Sequence, residues 1–139
     1  MANKPSVVTH GNVWISGLIF GGAPREIIKR FISGEIEVVV SEELLTELRR
    51  KVSQKFPIFV PKLHLLEASI KEDAFMVKLG SQTVTVCRDA DDNKVIETAL
   101  VGGCDYIITG DKDLLVFKNY QGIQIVRPAE FLLSDRRNS

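Results

Sequence analysis

Residues 84–115 constrain the fold more than any other stretch of the chain. Val84-Thr85-Val86 is a short β-branched run, and Cys87-Arg88-Asp89-Ala90-Asp91-Asp92 follows it as an acidic turn. Val95, Ile96, Ala99 and Leu100 then repeat at helical spacing, Gly102 and Gly103 stop the pattern, and Tyr106-Ile107-Ile108-Thr109 resumes a β-type run ahead of Gly110-Asp111-Lys112-Asp113. Alternating β-branched residues suit a pleated surface, and apolar residues three and four apart give a helix one buried face. Asp91 and Asp92 sit where a helix N-terminus favours carboxylates. Strand, helix and strand joined by so short a crossover imply two parallel strands and a right-handed connection.

Both acidic turns follow expected strands, which places them at the carboxyl edge of the sheet, where open α/β sheets bind ligands. Carboxylates gathered at one edge repel each other unless a cation lies among them, and hard oxygen donors suit Mg²⁺ or Mn²⁺. Asp is also a common cap and turn residue, so each of these carboxylates taken singly has a structural explanation.

The rest of the chain extends the alternation. Ser6-Val7-Val8-Thr9 reads as the first strand with His10-Gly11-Asn12 at its carboxyl end, followed by a short apolar helix over Val13–Phe20. Pro24 fits the start of a helix running to Ser33, with Gly34 past its end. Glu37–Val40 is the second strand, and Ser41 caps a third helix in which Leu44, Leu45 and Leu48 face the core and Glu47 lies one turn beyond Glu43. A further helix is expected from Pro61 to Leu79, a third strand over Gln82–Val86, and a last strand over Gln121–Val126 ahead of a short terminal helix and a polar tail from Ser134. Five strands alternating with helices predict a three-layer α/β fold with a mostly parallel sheet.

At 139 residues the chain is read as one domain spanning 1–139, with its core over about 6–133. The net charge is zero, so no global field recruits nucleic acid. Arg49, Arg50, Lys51 and Lys55 form the one local basic concentration, either a solvated helix end or a patch that meets an RNA backbone. No apolar run approaches a membrane span, and Met1–Pro5 lacks the apolar region of a signal peptide, so a cytoplasmic location is expected. Cys87 and Cys104 are read as free thiols, and His64 as an ordinary surface or boundary residue.

Several of these stretches together resemble the PIN domain. Val8-Thr9-His10-Gly11-Asn12-Val13 is similar to the family's opening strand and helix, and Ser41-Glu42-Glu43-Leu44-Leu45-Thr46-Glu47-Leu48 to the helix that carries its second acid, here Glu47. Arg88–Lys94 places the third acid on Asp92, and Thr109-Gly110-Asp111-Lys112-Asp113 resembles the Thr-x-Asp-x-Asp turn, giving Asp111 and, more peripherally, Asp113. Val126–Leu132 is similar to the family's ending. The match spans 6–133 and is nearest to the VapC-like toxin components of bacterial and archaeal toxin–antitoxin systems.

The resemblance implies a five-stranded sheet in the order 3-2-1-4-5 and a metal-dependent ribonuclease. Glu47, Asp92, Asp111 and Asp113 would be its catalytic acids, Asn12 would orient a ligand or water, and Glu47, Asp92 and Asp111 would hold Mg²⁺ or Mn²⁺. A cation so held lowers the pKa of a bound water and stabilises charge on phosphate oxygens, so no protein nucleophile is required. It also implies an RNA substrate, a cognate antitoxin and, as an option, a homodimer.

One position departs from the pattern. The family's first acid is here His10, and the neighbouring Thr or Ser is Gly11. The cluster loses a negative charge and gains an imidazole, which suits Mn²⁺, Zn²⁺ or Ni²⁺ better than Mg²⁺. As a metal ligand His10 therefore stands beside its alternative, a hydrogen-bonding spacer. Two functions remain open: an active ribonuclease toxin, and a degenerate PIN domain that binds RNA or protein without cutting. A phosphoacceptor receiver domain shares the architecture, but His10-Gly11-Asn12 does not supply the acidic pair it needs after the first strand.

Overall fold

The computed structural model describes residues 4–80 and 84–136. In chain order the elements are β1 (Ser6–Thr9), α1 (Gly11–Ile19), α2 (Gly22–Ile32), β2 (Glu37–Ser41), α3 (Glu42–Lys55), a 3₁₀ turn (Pro57–Phe59) and α4 (Val60–Asp73). There follow β3 (Phe75–Val77), α5 (Ala90–Gly102), β4 (Tyr106–Ile108), α6 (Lys112–Leu115), β5 (Asn119–Tyr120), β6 (Ile123–Val126) and α7 (Pro128–Arg136). The strands form one sheet in the order β3-β2-β1-β4-β6-β5. Every pairing is parallel except β5 against β6.

Alternation along the strands divides the core into two. Val7, Val38, Val40 and Ile108 face one side and pack with Trp14, Ile27, Phe31, Leu45, Leu63 and Phe131 from five helices. Val8, Val39, Ile107 and Ile125 face the other and pack with Val95, Ile96 and Ala99 of α5 and Leu114 of α6. A central sheet covered on both faces is the three-layer α/β architecture expected. Helices α1 and α2 pack closely: a Cβ on Gly17 would meet Ile28 Cδ1 at 2.6 Å and the Pro24 carbonyl oxygen at 2.9 Å. Gly103 ends α5 at φ 61°, a backbone that glycine adopts without strain.

Four expectations are corrected. The helix predicted to Leu79 ends at Asp73, and the third strand is Phe75–Val77 beside β2, not Gln82–Val86. The apolar spacing of Ile70, Phe75 and Leu79 continues a helical pattern past the point where the backbone becomes extended at Ala74. Residues 81–83 of the predicted strand lie outside the described residues, and Val84 is buried against the second core without forming a ladder. The sheet also has six strands rather than five, because the turn ahead of β6 folds back as the two-residue β5. The predicted polar tail begins inside α7, and residues 137–139 lie outside the described residues. Among the described residues no helix is long and apolar enough to cross a membrane.

Candidate functional site

The carboxyl ends of β1 and β4 lie side by side, with Thr9 in register with Ile108. The His10 amide donates to the Ile108 carbonyl at 2.9 Å, so His10 continues the ladder by one residue and its side chain emerges at the sheet edge. The ring is buried, with a relative exposure of 5%. Its Nδ1 lies 2.8 Å from Thr109 Oγ1, and its Nε2 lies 3.6 Å from Asp92 Oδ1. Burial, and secondarily the nearby Lys51 ammonium, push the imidazole pKa down to about 4, so the ring is uncharged at neutral pH.

Asp92 reaches this point from the first turn of α5. Asp89 caps that helix, accepting from the Asp91 amide at 2.8 Å, which leaves Asp92 to face inward with an exposure of 3%. Burial and then the charges of Asp111, Asp89 and Asp113 push the Asp92 carboxyl up to about 7. Asp111 arrives after β4, where Thr109 Oγ1 accepts its amide at 3.0 Å and its carboxylate in turn accepts the Asp113 amide at 2.9 Å. One ligand atom each from His10, Asp92 and Asp111 lies within 4.8 Å of the other two.

That donor set fits a divalent cation. Ligand atoms around one first-row ion or Mg²⁺ lie about 2.0–2.2 Å from it, hence at most roughly 4.4 Å apart, and these three, within 4.8 Å of one another, need only small side-chain shifts to meet one ion. An ionised Asp92 beside Asp111 is costly in isolation, and a positive ion removes that cost.

The remaining expected acids are arranged separately. Glu47, on α3, pairs with the Arg50 guanidinium and lies 3.9 Å from Lys51 Nζ. Burial raises its pKa, but the hydrogen bond and charge of Arg50 and the charge of Lys51 outweigh it and hold the carboxyl below its ordinary value. Glu47 lies near Asp91, whose carboxyl is pushed up by burial and by the Glu47 charge. These two residues border an open cleft of about 480 Å³, together with Glu42, Thr46 and Lys94. Asp113 is exposed and pairs with Arg88 at 3.2 Å, outside the cluster of three. Asn12 is exposed and accepts from Lys51 Nζ at 3.4 Å.

The basic stretch divides by helix face. Arg50 and Lys51 border the acids, whereas Arg49 turns to α4 and bonds Glu67 at 2.6 Å and Glu42 at 3.1 Å. Lys55 is exposed at the end of α3. Sequence reasoning gave no site role to Asp91 or Thr109. The signal for Asp91 was its place two residues after a capping Asp. For Thr109 it was the spacing to Asp111, where a Thr hydroxyl caps the amide two residues on. Cys87 and Cys104 are free thiols, the first half-buried and the second buried. His64 is exposed.

Residues 6–113 match the family model of the PIN domain. The uncharacterized protein MJ1680 of Methanocaldococcus jannaschii is 31% identical over 141 residues, covering 93% of this chain and 90% of that protein. Among solved structures, a chain of VapBC2 from Rickettsia felis, crystallised bound to a DNA fragment from its promoter, superposes with a TM-score of 0.55. It covers 86% of this chain and 96% of its own at 9% identity, which is a likeness of fold.

Proposed function

The chain belongs to the PIN-domain family, and from that premise we propose that it is a divalent-metal-dependent ribonuclease, the toxin of a type II toxin–antitoxin pair. The observation that carries this reading is the convergence of His10, Asp92 and Asp111 at the carboxyl ends of β1 and β4. Asp92 and Asp111 would hold the cation. When bound, Mg²⁺ or Mn²⁺ supplies Lewis acidity, favouring attack by water near neutral pH and stabilising charge on phosphate oxygens.

The chain's own residues do the rest. Lys51 and Arg50, beside the cluster, attract the phosphodiester backbone and set its position. Water adds to phosphorus as the P–O ester bond breaks. The proton it releases can be taken up by the Asp91 carboxylate, which burial and the Glu47 charge push above its ordinary pKa, while the departing ester oxygen takes a proton from solvent. Asp113, tied to Arg88, acts at the periphery. The VapBC2 assembly to which the fold neighbour belongs supports a cognate antitoxin as partner. A toxin of this kind acts in the cytoplasm, as a single PIN domain that is free to form a homodimer.

One observation favours a second reading, a PIN domain that binds RNA or protein without cutting. Glu47 is neutralised by two cations, and His10 faces Asp92 where the family has an acid. Cleavage of a mixed RNA by purified protein in Mn²⁺, beside Asp111→Asn, separates the two. Cleavage that disappears in the variant supports the nuclease. Cleavage equal in both points to a contaminant, and none in either, with folded protein, favours the binding module.

A further inference from the structure

We propose that His10, positioned by Thr109, is the nitrogen ligand of a one-imidazole, two-carboxylate site with Asp92 and Asp111, and that this site selects Mn²⁺, Ni²⁺ or Zn²⁺ over Mg²⁺. The inference rests on the reading that the cluster holds a cation, and adds which atom of His10 donates, what aims it and which class of ion results.

The geometry leaves one nitrogen free. Nδ1 is engaged by Thr109 Oγ1 at 2.8 Å, so only Nε2 can serve a ligand. Nε2 has no hydrogen bond among the described residues. Its neighbour is Asp92 Oδ1 at 3.6 Å, and the ring is 5% exposed. An imidazole nitrogen without a hydrogen bond, on a buried ring that faces Asp92 and shares its cluster with Asp111, is a placement that a cation satisfies.

Thr109 serves two of the three ligands. Its hydroxyl oxygen also accepts the Asp111 amide at 3.0 Å, so one wholly buried group fixes both the His10 ring and the turn that carries Asp111. A hydroxyl both donates and accepts, so Thr109 can satisfy Nδ1 in either tautomer. With a cation at Nε2 the ring proton resides on Nδ1, and Thr109 Oγ1 accepts it. Such a second hydrogen bond sets the tautomer and orientation of a metal-bound histidine. Mg²⁺ prefers an all-oxygen octahedron, whereas imidazole raises affinity for the later first-row ions.

Titration calorimetry with Zn²⁺, Ni²⁺, Mn²⁺ and Mg²⁺, together with imidazole ¹⁵N spectra in Zn²⁺, tests the assignment. The chain has two histidines, and the exposed His64 is an internal reference. Wild type is expected to bind Zn²⁺ at least ~100-fold more tightly than Mg²⁺. The His10 Nε2 resonance should shift with Nδ1 protonated, while His64 stays in place. His10→Asp should narrow the preference for Zn²⁺ over Mg²⁺ by ~10-fold or more. Thr109→Val should weaken Zn²⁺ binding ~10–100-fold, with Thr109→Ser restoring it; should Thr109→Val fail to fold, the wild-type spectrum and His10→Asp still decide. Zn²⁺ binding that leaves the His10 resonance in place, or that persists unchanged in His10→Ala, overturns the inference while the metal site stands. Failure of folded wild type to bind any of the four ions overturns the metal reading itself.

Discussion

His10 Nε2 and Asp92 Oδ1 face each other across 3.6 Å, one residue beyond the end of β1 and in the first turn of α5, with both side chains buried. The folded protein keeps its proton on this pair in the opposite way from the unfolded chain. Folded, the His10 pKa is about 4 and the Asp92 pKa about 7, so between those values the carboxyl is protonated and the ring neutral. Unfolded, with values near 6.5 and 3.9, the carboxylate is ionised and the ring charged.

Each state therefore carries one proton on the pair between about pH 4 and pH 6.5, and the pair contributes no pH slope to stability there. Single variants should expose two opposite slopes. In His10→Ala, Asp92 alone binds a proton in the folded state and none in the unfolded state, so stability falls as pH rises from 4 toward 7. In Asp92→Asn, His10 binds a proton only when unfolded, so stability rises as pH increases from 4 to 6.5. Each slope approaches about 1.4 kcal/mol per pH unit at full occupancy. Urea denaturation across pH without divalent ions reads both, and parallel slopes in the two variants would contradict the assignment.

Asp111 and Asp113 should separate sharply in activity. Asp111 is in the cluster of three, whereas Asp113 is exposed and paired with Arg88. Asp111→Asn is expected to lower the cleavage rate by at least ~100-fold, and Asp113→Asn by less than ~10-fold. Single-turnover RNA cleavage gives the comparison.

Adjacent arginines should differ in kind. Arg49 holds Glu67, which is 8% exposed, so Arg49→Ala leaves a buried carboxylate without its partner and should cost about 1–3 kcal/mol of stability. RNA affinity and its salt dependence should stay unchanged. Lys51→Ala should instead weaken RNA binding and reduce the slope of log affinity against log salt by about 0.7. Fluorescence anisotropy at several salt concentrations, set beside thermal melts, distinguishes the two.

Gly17→Ala should destabilise by about 1–3 kcal/mol, because its Cβ would meet the Pro24 carbonyl, a backbone atom that cannot step aside. Gly110→Ala meets nothing within 4 Å and should be close to neutral. Urea midpoints measure both.

The sequence carried the first strand over Ser6–Thr9, the Ser41 cap of α3 and the gathering of Asp92 and Asp111 at one sheet edge, because β composition, capping and strand direction are local rules. The third strand was hidden because Phe75-Met76-Val77 continues the apolar spacing of α4, while Val84-Thr85-Val86 has the stronger β composition yet pairs with no strand among the described residues. The division of the acids was hidden for another reason. Adjacent residues on a helix point about 100° apart, so which carboxylate reaches His10 and which reaches Glu47 depends on where α5 begins. Asp89 sets that point by capping Asp91. Likewise Arg49 and Arg50 read as one patch along the chain and serve two faces in space.

The most direct test of the central claim is the initial rate of cleavage of an end-labelled RNA as Mn²⁺ is titrated, for wild type and for Asp92→Asn. A rate that saturates with Mn²⁺ in wild type, and that needs far more ion or never rises in the variant, is the predicted result. Equal Mn²⁺ dependence in the two proteins, or no cleavage by folded wild type at any Mn²⁺ concentration, would contradict it.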